Sequence, residues 1–273
     1  MRDELTGHDV TYRVTRAPGP GTSPVDVVLV HGIGVSGRYF RPLERELAGP
    51  GGARRVVVVD LPGFGDSPRP DQPLDIGDHA DVVLALIERL GLERPVVVGH
   101  SMGAQVVTEA AARRPDALGA AVLVGPVAEP DARTPWEQGA RLLRDVRHER
   151  PSCTFLQVRE YLRCGPRWYL ATLGPMLAHP IEDRVADVRV PVLVVRGAHD
   201  PVAPTDFVDD LARRVGSGHP AGARGARRLD VPGTGHVVWW TQPWHLADAV
   251  LHLGRQVAAD APGVPGAVEV LDG

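Results

Sequence analysis

Short, almost purely apolar valine runs recur along the chain, each followed by a stretch with helical periodicity. The strongest lie at 25–30, 55–60, 95–99, 120–125 and 191–195, with a weaker sixth at 228–231. A strand with one wet face alternates apolar and polar residues. Runs that are apolar at nearly every position suit strands covered on both faces, as in a parallel sheet. Between them, residues 78–90 place Val82, Val83, Leu86, Ile87 and Leu90 on one stripe, with Gly91 as a stop signal. Residues 38–48 and 104–113 read the same way. Alternating strands and helices imply right-handed crossovers and an open α/β sheet. Residues 9–14 alternate and read as an edge strand.

One interval breaks the rhythm. Residues 129–187 lack a strong strand run and carry helical fragments at 139–146 and 156–163. An insertion of this length between sheet strands reads as a helical cap. The expected organisation is a core of 1–128 and 188–258, a cap at 129–187, and a flexible tail at 259–273, rich in Ala, Gly and Pro. The Gly-rich segment 216–225 reads as a mobile loop.

Composition narrows the partners. The formal net charge of -4 leaves no basic surplus for nucleic acid. All 30 basic residues are Arg, and the chain has neither Lys nor Asn. That bias points to GC-rich coding, so the Arg count says nothing about function. The two cysteines, Cys153 and Cys164, suit a reducing compartment better than a disulfide framework. The first ten residues contain no apolar leader core. No apolar run approaches the ~18 residues of a membrane span. The expectation is a cytoplasmic globular protein acting on a small molecule, with no membrane or nucleic-acid partner.

The most specific local signal is Gly99-His100-Ser101-Met102-Gly103, which matches G-x-S-x-G between a valine strand and a helical stretch. On such a turn the serine is strained, its Oγ stands over the strand ends, and flanking side chains would collide with the turn. A serine hydroxyl needs a base within hydrogen-bond reach, and the base needs an orienting carboxylate. The chain order Ser, acid, His accompanies an elbow serine. Asp200, in Gly197-Ala198-His199-Asp200, and His236, in Gly233-Thr234-Gly235-His236, each follow a strand run and supply that order. Loops at strand carboxyl ends meet along one edge of an open sheet. Glu129 and Asp131, after the fourth run, are competing acids, and Asp200 could instead cap a helix beginning near Pro204. His199, beside Asp200, should point away from it in an extended chain.

Acyl transfer also needs fixed amide donors for the developing oxyanion. The loop His31-Gly32-Ile33-Gly34 after the first strong run, together with the residue after Ser101, supplies them. The backbone N–H groups of Ile33 and Met102 are the expected pair. His31 reads as structural. Neither a P-loop nor a dinucleotide fingerprint is present, so the glycines do not signal a phosphate site.

These four motifs, with Asp60-Leu61-Pro62-Gly63-Phe64-Gly65-Asp66-Ser67, resemble the α/β-hydrolase superfamily over about residues 25–253. The D-x-P-G-x-G-x-S segment resembles capped serine hydrolases: esterases, enol-lactonases and C–C bond hydrolases. The resemblance implies a mostly parallel central sheet flanked by helices, a small helical cap over the active site, and no metal or organic cofactor. It carries the acid and base roles onto Asp200 and His236. A serine at position 101 departs from the subgroup with a nucleophilic Asp, which disfavours dehalogenase and epoxide hydrolase chemistry. The expected activity is cleavage of a carboxylic ester, lactone or thioester of a small, largely apolar substrate through an acyl-enzyme. C–C bond hydrolysis of a β-diketone-like substrate and a non-catalytic receptor are the alternatives.

The putting together of a pocket is less constrained. Between positions 132 and 168, eight Arg stand against Glu137, Asp145, Glu149 and Glu160. An Arg reaching inward would suit a substrate carboxylate. The spacing instead puts Leu142, Leu143 and Val146 on a buried stripe and the charges on a solvated face. Trp136, Trp168, Trp239 and Trp240 are candidate pocket walls.

Overall fold

A computed structural model describes residues 1–17, 23–130, 133–218 and 226–260. The valine runs form the middle of one eight-stranded sheet. Its strands are β1 (Arg2–Leu5), β2 (His8–Arg16), β3 (Ser23–Val30), β4 (Ala53–Asp60), β5 (Val96–His100), β6 (Ala120–Val124), β7 (Val192–Gly197) and β8 (Arg227–Val231). Their order across the sheet is β1-β2-β4-β3-β5-β6-β7-β8. All pairings from β4 through β3 to β8 are parallel; β2 runs antiparallel to β4, and β1 to β2.

The valine runs have no polar alternation because both sheet faces are covered. Val28, Val30, Val57, Val59 and Val97 face α2 (Ile76–Arg89) and α3 (Met102–Arg113). Their neighbours Val27, Leu29, Val56, Val58 and Val98 face α1 (Arg41–Leu47) and α10 (Pro243–Ala259). The alternating strand at 9–14 is β2, but it is not the edge. Arg2–Leu5 pairs outside it, a short polar strand in which only Leu5 is buried. α10 continues to Ala259, one residue into the expected tail; 261–273 lie outside the described residues, as do 219–225 of the Gly-rich loop.

Asp60, at the end of β4, organises the loop after it. Its buried carboxylate accepts the amide N–H of Gly37 at 2.7 Å and of Asp66 at 2.9 Å, and its carbonyl accepts the Ser67 hydroxyl at 2.6 Å.

Between β6 and β7 the chain runs through α4 (Pro135–Asp145), α5 (Pro151–Cys164), α6 (Pro166–Ala178) and α7 (Ile181–Arg184). α4 does not bury the stripe expected of it. Leu143 is 73% and Val146 44% exposed, Leu142 is partly buried, and the buried residues are Gln138 and Asp145. Leu142 alone of the stripe packs against the core, while Asp145 turns inward onto the His236 amide. Ion pairs and hydrogen bonds hold the insertion down: Arg163 to Asp66 at 2.5 Å, Ser36 Oγ to Glu160 Oε2 at 2.5 Å, and Arg69 to the Cys164 carbonyl at 2.5 Å. The remaining helices, α8 (Thr205–Arg214) and α9 (Val238–Thr241), flank β8 in the sequence.

Candidate active site

Ser101 stands between β5 and α3 with φ 56° and ψ -120°, a region that residues with a Cβ rarely occupy. Its amide donates to the Val124 carbonyl at 3.0 Å, which fixes the turn against β6. The turn is held tight because α3 packs directly on the end of β3. A Cβ on Gly103 would run into the Val30 and His31 carbonyls. The strain is therefore retained by surrounding packing, and Ser101 remains 9% exposed at the strand ends.

The loops after β7 and β8 bring Asp200 and His236 together. His236 Nδ1 lies 2.8 Å from Asp200 Oδ2, with both side chains almost wholly buried. The other carboxylate oxygen accepts the amides of Val202 at 2.7 Å and Ala203 at 3.2 Å. Asp200 thus both shapes its loop and orients the imidazole. Burial alone would raise its pKa, but the His236 charge and hydrogen bond, with the two amides, hold it below the ordinary carboxyl value. Burial would lower the His236 pKa; the Asp200 charge and hydrogen bond, with Asp145 and Glu149, carry it up to about 9. His236 Nε2 is buried and has no hydrogen-bond partner among the described residues.

Glu129 is paired with Arg141 at 2.7 Å, and Asp131 lies outside the described residues. His199 is exposed and stacks on His148, ring centroids 5.2 Å apart.

The loop carrying Ile33 comes close to the elbow: a Cβ on Gly32 would lie 3.0 Å from the Ser101 Cβ. His31 is buried and structural. Its Nε2 accepts the Leu61 amide at 2.9 Å, so its proton sits on Nδ1, 2.7 Å from the Gly32 carbonyl. Burial, the largest influence, lowers its pKa.

Sequence reasoning missed His100 and Tyr39. His100 Nε2 is 3.0 Å from the His236 carbonyl, which only accepts, so this nitrogen carries the proton. Nδ1 then accepts the Tyr39 hydroxyl at 2.7 Å, and that hydroxyl accepts the Gly32 amide at 3.2 Å. Burial lowers the His100 pKa well below the ordinary value. Position x of G-x-S-x-G carries no local signal for this role.

The four tryptophans scatter. Trp136 is 87% exposed. Trp239 is wholly buried behind the site, its Nε1 donating to the Tyr39 carbonyl at 2.9 Å and its ring edge-on to His100. Trp240 is half-buried and donates to Ser152 Oγ at 3.0 Å. Trp168 packs on the loop after β4, against Gly63. The rings over the 31–34 loop are instead Tyr161 and Tyr169: a Cβ on Gly34 would lie 2.6 and 2.8 Å from them. Among the described residues, no group of three or more His, Cys, Asp or Glu is arranged to hold a metal ion, and no helix is long and apolar enough to cross a membrane.

Residues 27–249 match the model of the Alpha/beta hydrolase family. The AB hydrolase superfamily protein YisY of Bacillus subtilis is 27% identical over 214 residues, 69% of this chain and 79% of that protein. A thermophilic esterase from Thermogutta terrifontis superposes with a TM-score of 0.77 at 21% identity, covering 94% of this chain and 98% of the esterase. The enol-lactonase of Burkholderia xenovorans LB400 superposes with a TM-score of 0.75 at 20% identity, over 93% and 99% of the two chains.

Proposed function

The chain belongs to the alpha/beta hydrolase family, and on that premise we propose that it is a serine hydrolase cleaving a carboxylic ester, lactone or thioester of a small, largely apolar substrate. The observation that carries this reading is the 2.8 Å contact of His236 Nδ1 with Asp200, which leaves Nε2 without a protein partner in a site shared with the strained Ser101.

The proposed chemistry follows from these groups. His236 Nε2 takes the proton of Ser101 Oγ as the oxygen attacks the substrate carbonyl carbon. The carbonyl oxygen becomes an oxyanion facing the amides of Ile33 and Met102, and one such donor is worth ~10² to 10³ in rate. Asp200 stabilises the imidazolium and keeps Nδ1 as its donor to the carboxylate. Collapse breaks the carbonyl–leaving-group bond, and His236 returns the proton to the leaving oxygen or sulfur. Water then attacks the acyl-enzyme with His236 as base, and the acid is released with Ser101 restored. The insertion, residues 129–187, acts as the cap, with Tyr161 and Tyr169 giving the acyl group an apolar surface beside the oxyanion loop. Esterase and enol-lactonase among the similar structures support this substrate class by analogy of fold.

The test is Ser101→Ala against wild type, assayed with a fluorophosphonate probe and a panel of short acyl esters, lactones and a dienone-type C–C substrate. Labelling and ester turnover in wild type, both lost in the variant, are expected. Labelling that survives the change puts the nucleophile elsewhere. Turnover of the C–C substrate alone overturns the ester assignment while keeping the triad.

A further inference from the structure

Two carboxyl groups of the insertion meet the histidine loop in contacts that the proposed triad does not use. Asp145 is the last residue of α4, and Glu149 follows about one turn later. Asp145 Oδ1 accepts the backbone N–H of His236 at 2.9 Å, and Glu149 Oε1 accepts that of Val237 at 2.7 Å. The Asp145 charge acts on Glu149, and the Cys153 thiol adjoins it. Burial pushes Asp145 up, and burial with the Asp145 charge carries Glu149 up to about 7.

The contact is built rather than incidental. A Cβ on Gly235 would lie 2.5 Å from Asp145 Oδ1 and 3.0 Å from Glu149 Oε1, so the carboxyl groups occupy the space that a side chain there would need. α4 buries Asp145 and Gln138 while leaving Leu143 exposed, so the helix is docked through this polar contact. His236 is then anchored at three points: its amide on Asp145, its carbonyl on His100, its Nδ1 on Asp200. Only the first comes from the insertion. The titratable groups facing the pair are His236 and Asp200 from the core loops, and Cys153 and Tyr161 from α5. His148, between the two acids in sequence, stacks on His199 of the acid loop.

We propose that Asp145 and Glu149 are positioning residues for His236: the carboxyl pair of the insertion fixes the consecutive amides that set the imidazole against Asp200. The proposal rests on the triad reading above. It makes the base competent only while the insertion is docked.

The experiment compares Asp145→Ala, Asp145→Asn and Glu149→Gln with wild type by kcat, KM and the pH profile of kcat/KM on one ester. Asp145→Ala is expected to lower kcat about 10- to 100-fold, the scale of a small misplacement of a reacting group, with KM within about twofold. Asp145→Asn keeps an acceptor for the His236 amide and is expected to recover to within about threefold of wild type. Glu149→Gln removes a negative neighbour of His236 and is expected to shift the acidic limb down by about half a pH unit or more. The proposal is overturned if Asp145→Ala keeps kcat within about twofold of wild type. It is equally overturned if Asn fares no better than Ala while KM rises in both, the pattern of a packing role. Should Asp145→Ala not fold, the Glu149→Gln limb decides: a shift supports the proposal and an unmoved limb overturns it. Should wild type turn over no substrate, or Ser101→Ala retain activity, the triad reading fails separately. The His236 ring titration by nitrogen-15 NMR then decides this one, with a lowered pKa in Glu149→Gln supporting it and an unchanged pKa overturning it.

Discussion

The hydroxyl of Tyr39 stands 2.7 Å from Nδ1 of His100, and through that contact three separate loops share one hydrogen-bond chain. The chain begins at the Gly32 amide, passes through the Tyr39 hydroxyl and the His100 ring, and ends on the His236 carbonyl. The loop at 31–34, the turn at Ser101 and the loop at His236 are therefore fixed relative to one another by buried neutral groups. Trp239 closes this network from behind, edge-on to both Tyr39 and His100.

Tyr39→Phe keeps the ring packing and removes the hydroxyl. The Gly32 amide then loses its acceptor, and His100 Nδ1 loses its donor, both in a buried site. An unsatisfied buried polar group costs about 1–3 kcal/mol, so a loss of about 2–4 kcal/mol of stability is expected. Urea unfolding measures it, and the denaturant slope should stay unchanged because the packing does. Because Gly32 precedes Ile33, kcat on an ester should also fall, by about tenfold.

Asp200→Asn separates the two duties of that side chain. The amide oxygen can still accept from Val202 and Ala203, so the loop survives. The amide nitrogen then faces His236 Nδ1 as a donor, which forces the wrong tautomer. In a comparable triad this costs about 10⁴ in kcat. Glu129→Gln, which only disturbs the pair with Arg141, should stay within about tenfold of wild type, about 1.4 kcal/mol of barrier. Measured kcat for the two variants, with folding checked by circular dichroism, separates these outcomes. If Glu129→Gln collapses while Asp200→Asn does not, the acid has been misassigned.

The parts of this site that were legible in the sequence are those written in local turns. Gly-His-Ser-Met-Gly and Gly-Ala-His-Asp follow valine strands, Gly-Thr-Gly-His follows the weaker run of β8, and the parallel sheet necessarily brings their loops to one edge. The valine strands were legible because burial on both faces removes the polar alternation. Arg2–Leu5 was not, since a four-residue edge strand with one buried side chain leaves no pattern. Asp145 was misread for a more instructive reason. Helical periodicity assumes that a helix docks through its apolar stripe, whereas α4 turns Asp145 inward to accept an amide 91 residues away in sequence. Tyr39 meets His100 across 61 residues, and neither position has a local signature.

Stability should vary with pH through Glu149. Its pKa is raised in the folded chain to about 7, first by burial and then by the Asp145 charge. A carboxyl with a raised folded pKa stabilises fully below its unfolded value, about 4.3, and that contribution is lost as pH rises through about 7. The loss is at most about 4 kcal/mol over this interval, shared with Asp145. Asp200 and Glu109 have the opposite sign. Burial opposes the lowering of Asp200, which its His236 partner brings about; the hydrogen bond from His179 is the largest influence on Glu109. Their contributions are present above the unfolded carboxyl values and are lost in acid. From pH 4.5 to 8 the buried His31 and His100, with their lowered pKa values, add stability equally to both proteins, so thermal unfolding should show wild type declining relative to Glu149→Gln. A decline of equal slope in the variant would assign it to other groups.

The last prediction concerns which aromatic rings shape the substrate space. Trp136 is 87% exposed, so Trp136→Ala removes a side chain that packs on almost nothing. Surface changes of that kind usually stay within about 0.5 kcal/mol, so KM and stability should hardly move. Tyr169 lies on Gly34, one residue beyond the proposed oxyanion amide of Ile33, and edge-on to Tyr161 at 5.7 Å. Tyr169→Ala should raise KM for a short apolar ester by about tenfold, the worth of one or two lost methylene-sized contacts. It should also lower stability, since a half-buried ring leaves a gap beside its partner. Tyr169→Phe keeps the ring and should hold KM within about twofold, because burial rather than a hydrogen bond characterises this phenol. KM for three variants on one ester is sufficient. A tenfold rise in Trp136→Ala with none in Tyr169→Ala would move the substrate wall from α6 to α4.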